Sequence, residues 1–285
     1  MRNKVAYEFF YEDLTPGLRI DLGSVVLDQA KVLAFAELTG DKHPLHMDEL
    51  KAQSLGFKSS LVHGSLVSAV AIGRLVSAGQ FSESIVAMTD SSWKFTLPVF
   101  TNDEVFYELL ITSRRLLSKG DRGMIGRHFY VKNNVGEVIQ EGSSTAIVLT
   151  RNSEDAKRLE EINPSFPSMG WVSQLIDSLS VDKEFEEATL SFNGAIAFAF
   201  GEDLMGIRLY KGKIIDQGRA VASGATFTIG ATLPSWIDFV ARPRNEYISF
   251  AMKDKFTVSG STYDYLRMTK ATMIIMDHVR RLLII

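Results

Sequence analysis

Residues able to transfer protons are concentrated in one short segment, GDKHPLHMD, at residues 40–48. Its carboxylates and imidazoles belong to Asp41, His43, His46 and Asp48. The dipeptide His63-Gly64 follows, so three of the five histidines of the chain fall between residues 43 and 63. A segment this rich in titratable groups is typical of a functional site rather than of a purely structural turn.

Three interpretations of this segment compete. In a structural one, Asp41 caps a turn and His46 makes a single hydrogen bond. In a metal site, His43, His46 and Asp41 supply nitrogen and oxygen ligands, although Pro44 and its neighbour separate the two histidines awkwardly. In an acid–base site, Asp41 and His46 hold one water, so that proton transfer occurs where the water attacks.

The acid–base interpretation also indicates a substrate class. Hydration of a double bond conjugated to a thioester needs such a pair, together with a donor to the thioester oxygen, where negative charge develops. Gly64 can supply that donor, because a glycine N–H at the start of a helix is unpaired, lies at the positive end of the helix dipole and has no side chain to block close approach.

The elements around the segment show helical and then extended patterns. Apolar spacing predicts a helix over residues 27–39 that Gly40 ends. Pro44 cannot continue it, which predicts a tight, polar loop before a short helix at residues 48–54. The apolar stripe of residues 65–78 predicts a longer, buried helix. After Met88, alternating runs separated by turn residues predict an antiparallel sheet.

Composition bounds the remaining possibilities. The chain has 285 residues, a formal net charge of −3 and no cysteine. This charge argues against a nucleic-acid partner, and the lack of cysteine excludes disulfides and suits a reducing compartment. There is no phosphate loop or dinucleotide glycine motif. Without an export signal, and with charges throughout the apolar segment 268–285, we expect a cytoplasmic protein that is not an integral membrane protein.

The length favours two domains. Residues 151–170 are charged and then proline-containing, without sustained apolar alternation, so they are predicted to be a linker. The first domain would then cover residues 1–150. Residues 171–285 show helices and strands in mixed order, which predicts a second, smaller α+β domain.

Residues 35–66, FAELTGDKHPLHMDELKAQSLGFKSSLVHGSL, resemble the signature of the MaoC-like, R-specific enoyl-CoA hydratases, and the likeness continues into SSWKFTLPVFTNDEV at residues 91–105. The resemblance covers the first domain, residues 1–150. It implies a hot-dog fold, in which an antiparallel sheet wraps one long helix. It also implies a homodimer that binds acyl-CoA, or an acyl-carrier thioester, at the subunit interface.

The resemblance further implies residue roles. Asp41 and His46 match the catalytic pair that orders the water, and Gly64 matches the oxyanion-hole donor, while His43 and Pro44 shape the loop. No cofactor and no metal is implied beyond the thioester substrate. Two positions depart from the family: His43 stands where asparagine is usual, and Ile72 aligns with a position that is often serine.

Residues 171–285 resemble, more weakly, the sterol carrier protein type-two domain, on the order and character of their elements. This implies an apolar tunnel for free lipid or acyl-CoA. The leading expectation is therefore a hydro-lyase that interconverts trans-2-enoyl-CoA and (R)-3-hydroxyacyl-CoA. The alternatives are a non-catalytic acyl-CoA or lipid carrier and, with less support, a hot-dog thioesterase.

Overall fold

A computed structural model describes residues 7–219 and 224–283 of the chain. Two compact units are present, and the division falls between Ala156 and Lys157. The N-terminal unit includes Leu18–Ile111 and Leu116–Ala156, and the C-terminal unit includes Lys157–Ile285. The domain boundaries expected from the sequence stay a prediction.

The N-terminal unit is built on a five-stranded sheet. Its strands are β1 (Arg19–Val26), β2 (Ile85–Phe95), β3 (Glu104–Leu116), β4 (Arg122–Lys132) and β5 (Val138–Leu149), and its main helices are α1 (Gln29–Thr39), α2 (Pro44–Met47), α3 (Glu49–Ser54) and α4 (Gly64–Ser77). The strand order is β1-β3-β4-β5-β2. β1 pairs antiparallel with β3, and both β4 and β2 pair antiparallel with β5.

Helix α4 packs its apolar face into the core of this unit. Its side chains in the core are Leu66, Val67, Ala71 and Leu75. They join sheet residues such as Val105, Leu109 and Phe129 in one buried cluster. Burial of a large apolar side chain stabilises by about 1.5–3 kcal/mol, so this face fixes the helix on the sheet. The expected hot-dog arrangement, a long helix against an antiparallel sheet, is confirmed.

The segment around Pro44 is more regular than the loop expected from the sequence. Helix α1 ends at Thr39, and Gly40 takes the left-handed conformation with φ 78° that favours glycine there. His43 has ψ 137°, outside the α region as a residue before proline requires. The loop prediction was wrong beyond that point, because Pro44 begins the single-turn helix α2; proline at the first helical position loses no hydrogen bond.

Two further elements differ from expectation. Strand β1 was not foreseen, and its alternation is interrupted by an irregularity in pairing between Asp21 and Gly23. The segment expected to be a linker contains helix α5 (Ser153–Ile162). Its sequence, SEDAKRLEEI, is rich in glutamate, lysine, arginine and leucine, which are good helix formers. Lack of apolar alternation therefore excluded a strand there but not a helix.

The C-terminal unit is also α+β. Its helices are α6 (Met169–Ser180), α7 (Lys183–Thr189), α8 (Leu233–Val240), α9 (Tyr247–Met252), α10 (Thr262–Arg267) and α11 (Thr269–Leu282), and its strands are β6 (Asn193–Phe200), β7 (Asp203–Tyr210), β8 (Lys213–Gly218), β9 (Phe227–Ala231) and β10 (Thr257–Gly260). The sheet order is β10-β9-β6-β7-β8. Its likeness to a sterol carrier domain stays a prediction. In the part of the chain that the structure describes, every helix is too short or too polar to cross a bilayer.

Candidate active site

His46 lies in α2 and is held by the segment that precedes α4. Its Nδ1 donates to the carbonyl oxygen of Leu61 at 2.9 Å, while the Leu61 N–H donates to the carbonyl of Leu45 at 2.9 Å. Because a carbonyl only accepts, this bond places the ring proton on Nδ1 and leaves Nε2 with a free lone pair. Burial is the largest effect on the pKa of His46 and lowers it, which favours the neutral ring near pH 7.

Asp41 follows the end of α1 and keeps its carboxylate accessible. Its side chain is 51% exposed, and Oδ1 accepts a long bond of 3.4 Å from the His43 N–H. Asp41, His46 and His63 each offer one carboxylate oxygen or ring nitrogen within 4.8 Å of the others. A water can bridge two polar atoms at this separation, because each hydrogen bond spans about 2.8 Å. The structure thus brings the predicted carboxylate and imidazole together.

His63 joins them, although the sequence analysis assigned it no role. Its side chain is 1% exposed, and its Nε2 donates to the backbone carbonyl of Asp41 at 2.8 Å. Its ring stacks on the ring of His46, with centroids 3.8 Å apart and planes 26° apart. The sequence signal was only its position before Gly64, because nothing local shows that its ring meets His46.

The stacked rings bear on the metal interpretation. A histidine binds a metal through a lone pair in its own ring plane, at about 2.0–2.1 Å. The planes of His46 and His63 are nearly parallel, so their lone pairs do not converge on one ion at that distance. Nε2 of His63 also donates to a carbonyl and therefore carries a proton. This arrangement favours water over a metal ion between Asp41 and His46.

The N-terminus of α4 lies directly beside the two stacked histidines. Gly64 is the first residue of the helix, and the preceding residue His63 provides no side-chain cap. The Leu66 N–H donates to the carbonyl of His63 at 3.0 Å, so among the described residues it is the N–H groups of Gly64 and Ser65 that have no acceptor and can bind a ligand oxygen. A Cβ on Gly64 would come within 2.6 Å of the Phe95 ring, so any larger residue here requires that ring to move.

Polar support for this helix end comes from two residues that the sequence analysis missed. Ser68 donates to the carbonyl of Gly64 at 3.1 Å, and the buried Gln140 of β5 donates to the same carbonyl at 3.4 Å and to the Ser68 hydroxyl. Ser68 is one turn after Gly64 and could have been suggested by spacing. Gln140 is 76 residues away and could not.

The remaining residues singled out from the sequence, His43, Pro44 and Ile72, lie near the site. Nδ1 of His43 accepts the N–H of Leu45 at 3.3 Å and so caps α2, where Pro44 is the first residue. The ring of His43 lies 6.3 Å from that of His46. Ile72 is only partly buried and carries no polar group that could support His46. Loop shaping by His43 and Pro44 stays a prediction.

Comparison with known proteins finds similarity over part of the N-terminal unit. Residues 15–126 match the model of the MaoC like domain. An (R)-specific enoyl-CoA hydratase from Aeromonas caviae is 38% identical over 86 residues, which are 30% of this chain and 63% of that enzyme, less than two thirds of its length. An (R)-specific enoyl-CoA hydratase from Rhodospirillum rubrum is 27% identical over 151 residues, covering 50% of this chain and 93% of that enzyme.

A solved structure of an (R)-hydratase from A. caviae is 30% identical, with a TM-score of 0.40, and the match covers 48% of this chain and 97% of that one. The matched residues contain Asp41, His46 and Gly64. By the family model that they match, residues 15–126 of this chain are a MaoC-like domain.

Proposed function

We propose that this chain interconverts a trans-2-enoyl thioester and the (R)-3-hydroxyacyl thioester by reversible addition of water. The observation that carries the proposal is the approach of the Asp41 carboxylate and a His46 nitrogen to within 4.8 Å, next to the uncapped start of α4. The relatives named as hydratases support the reaction class.

In the proposed hydration, Asp41 accepts a hydrogen bond from the water and orients it, and the neutral Nε2 of His46 takes the proton. The water oxygen bonds to C3, and the electrons of the double bond move toward the thioester carbonyl. The Gly64 N–H stabilises the negative charge that develops on the thioester carbonyl oxygen. The proton then passes from His46 to C2, which completes the addition, and dehydration runs in reverse.

Loss of ultraviolet absorbance of crotonyl-CoA, the conjugated enoyl thioester, tests this proposal. Asp41→Asn keeps the shape of the side chain but removes the charge, and we expect kcat to fall by about 100-fold or more. Asp48→Asn is the matched control, because the Asp48 side chain accepts the N–H of Lys51 at the start of α3, a capping bond that asparagine can also make. If Asp41→Asn hydrates crotonyl-CoA at the wild-type rate and remains folded, the assignment is wrong.

The same assay separates two alternatives. A non-catalytic carrier binds acyl-CoA without consuming the conjugated thioester. A thioesterase releases free CoA thiol, which a thiol reagent detects. Neither outcome agrees with the proposed hydration.

We also propose a homodimer formed through the N-terminal unit. β2 is an edge strand, and Val86, Met88 and Phe95 on it are 46–60% exposed. An apolar edge strand favours pairing with another chain. Sedimentation at the mass of a monomer, at micromolar concentration, would argue against this.

Lipid binding by the C-terminal unit is a separate proposal. A narrow apolar cavity in this unit is lined by Trp171, Val172, Leu175, Ile176, Leu179, Phe198, Phe200, Met205, Gly206 and Ile207. The closed cavity has room for about one water molecule, so an acyl chain would bind only if these side chains move apart. Titration with a medium-chain fatty acid should change tryptophan fluorescence, and Trp171→Phe should reduce the change.

A further inference from the structure

His63 contacts both members of the pair, yet the proposed reaction assigns it no step. We propose that His63 is a positioning residue that holds the backbone of Asp41 through its Nε2–H and the imidazole of His46 through its ring face, so that both side chains reach one water. This inference rests on the proposed function and adds a residue to its site.

The first contact fixes Asp41 without using its carboxylate. Nε2 of His63 is 2.8 Å from the carbonyl oxygen of Asp41 but 3.9 Å from Oδ2. The bond therefore anchors the main chain just after α1 and leaves the carboxylate oxygens free to accept from water. A direct bond to the carboxylate would instead compete with the water.

The second contact fixes the plane of the His46 ring. The Nδ1 bond to Leu61 restricts rotation of the ring, and His63 covers one ring face at 3.8 Å. Phe35 packs near His63, with ring centroids 5.2 Å apart, so His63 is itself held in place. Support of this kind matters because a shift of about 1 Å in a reacting group can reduce the rate about 100-fold.

The unused nitrogen of His63 shows that packing alone does not explain the residue. Nδ1 is buried and has no hydrogen-bond partner among the residues that the structure describes. An unpaired buried polar atom reduces stability, so an apolar side chain would suit the cavity better if only packing mattered. A histidine at this position is explained if its opposite nitrogen must hold Asp41.

Two substitutions separate the contacts. His63→Gln keeps an N–H donor at a similar reach but removes the ring, whereas His63→Phe keeps a ring face but removes the donor. We expect kcat for crotonyl-CoA hydration to fall about 10-fold in each and about 100-fold in His63→Ala, with little change in KM. His128→Gln is the matched control, because His128 is a buried histidine of the same unit that bonds Ser143.

An NMR titration of the His46 ring gives a readout that does not depend on turnover. Burial is the largest effect that lowers the pKa of His46; a positive charge on His63 or His43, when either ring is protonated, lowers it further, whereas Asp41 raises it. We therefore expect His63→Phe to raise the pKa of His46 and to move the acidic limb of the kcat profile to higher pH. A variant that only loses stability should change neither the pKa of His46 nor the pH of the acidic limb.

The wild-type protein provides a test that needs no variant to fold. Its spectrum should show the proton of His63 on Nε2, in slow exchange with solvent. A proton on Nδ1, or wild-type kcat together with an unmoved His46 titration in both variants, overturns the inference. Absence of hydratase activity in the wild type overturns the proposed function instead, and the NMR results still decide whether His63 positions His46.

Discussion

Each unit of this protein holds a histidine beside an aspartate, and the two arrangements differ in what remains free. In the N-terminal unit, His46 uses Nδ1 to bind a backbone carbonyl, and its Nε2 has no hydrogen-bond partner among the residues that the structure describes. In the C-terminal unit, Nδ1 of His278 bonds the Ser178 hydroxyl at 2.9 Å and Nε2 bonds Asp182 at 2.8 Å.

The difference shows why proximity of a carboxylate and an imidazole does not by itself make a reactive site. Both nitrogens of His278 are occupied, and the Ser178 hydroxyl donates to the carbonyl of Leu175. This group ties α6, the start of α7 and α11 together within the C-terminal unit. His46, in contrast, has a free nitrogen and an accessible carboxylate next to a helix N-terminus. Its arrangement suits proton transfer, and that of His278 suits stability.

Replacing His46 and His278 each by glutamine should give the largest difference between the two units. We expect His46→Gln to reduce kcat for crotonyl-CoA by about 1000-fold, because glutamine cannot accept a proton at neutral pH. His278→Gln should leave kcat unchanged and lower the midpoint of thermal unfolding. Steady-state kinetics and a melting curve measure both effects. Equal kinetic losses in the two variants would contradict the division of roles.

Acidification should reduce the stability that the His278–Asp182 pair gives to the C-terminal unit. The hydrogen bond from His278 is the largest effect on the pKa of Asp182 and lowers it in the folded state. A lowered folded pKa means that the stabilisation is present above the ordinary carboxyl pKa and is lost as pH falls through the folded value. Asp182→Asn should therefore lower the free energy of unfolding at pH 7 by about 1–3 kcal/mol. Denaturant titrations at pH 7 and pH 3 measure this, and an equal loss at both would contradict it.

The smallest effect is expected at His43. Asparagine also offers a side-chain acceptor, so His43→Asn should keep the cap on α2 and change kcat by less than about threefold. His43→Ala removes the acceptor for the Leu45 N–H and should cost about 1 kcal/mol of stability. A large loss of kcat in His43→Asn would instead give the His43 ring a direct part in the reaction.

Much of the site could be predicted because its signals are local. The end of α1 at Gly40, the extended backbone at His43 and the start of α4 near Gly64 each follow from one or two residues and the backbone conformations they allow. Asp41 and His46 are likewise close in sequence. Helix α5 lies in the segment that composition predicted to be a linker, and it was not foreseen because charged helix formers leave no apolar alternation.

The sequence by itself therefore determined which side chains can do chemistry and where the helices beside them begin and end. Only the tertiary structure decided which nitrogen of His46 is free, that His63 stacks on it, and that Gln140 supports Gly64. Those contacts join residues 15, 17 and 76 positions apart, since His46 and His63 are separated by 17 positions. Such contacts form only when α4 packs on the sheet, because that burial, rather than any local preference, sets the distance between the segments.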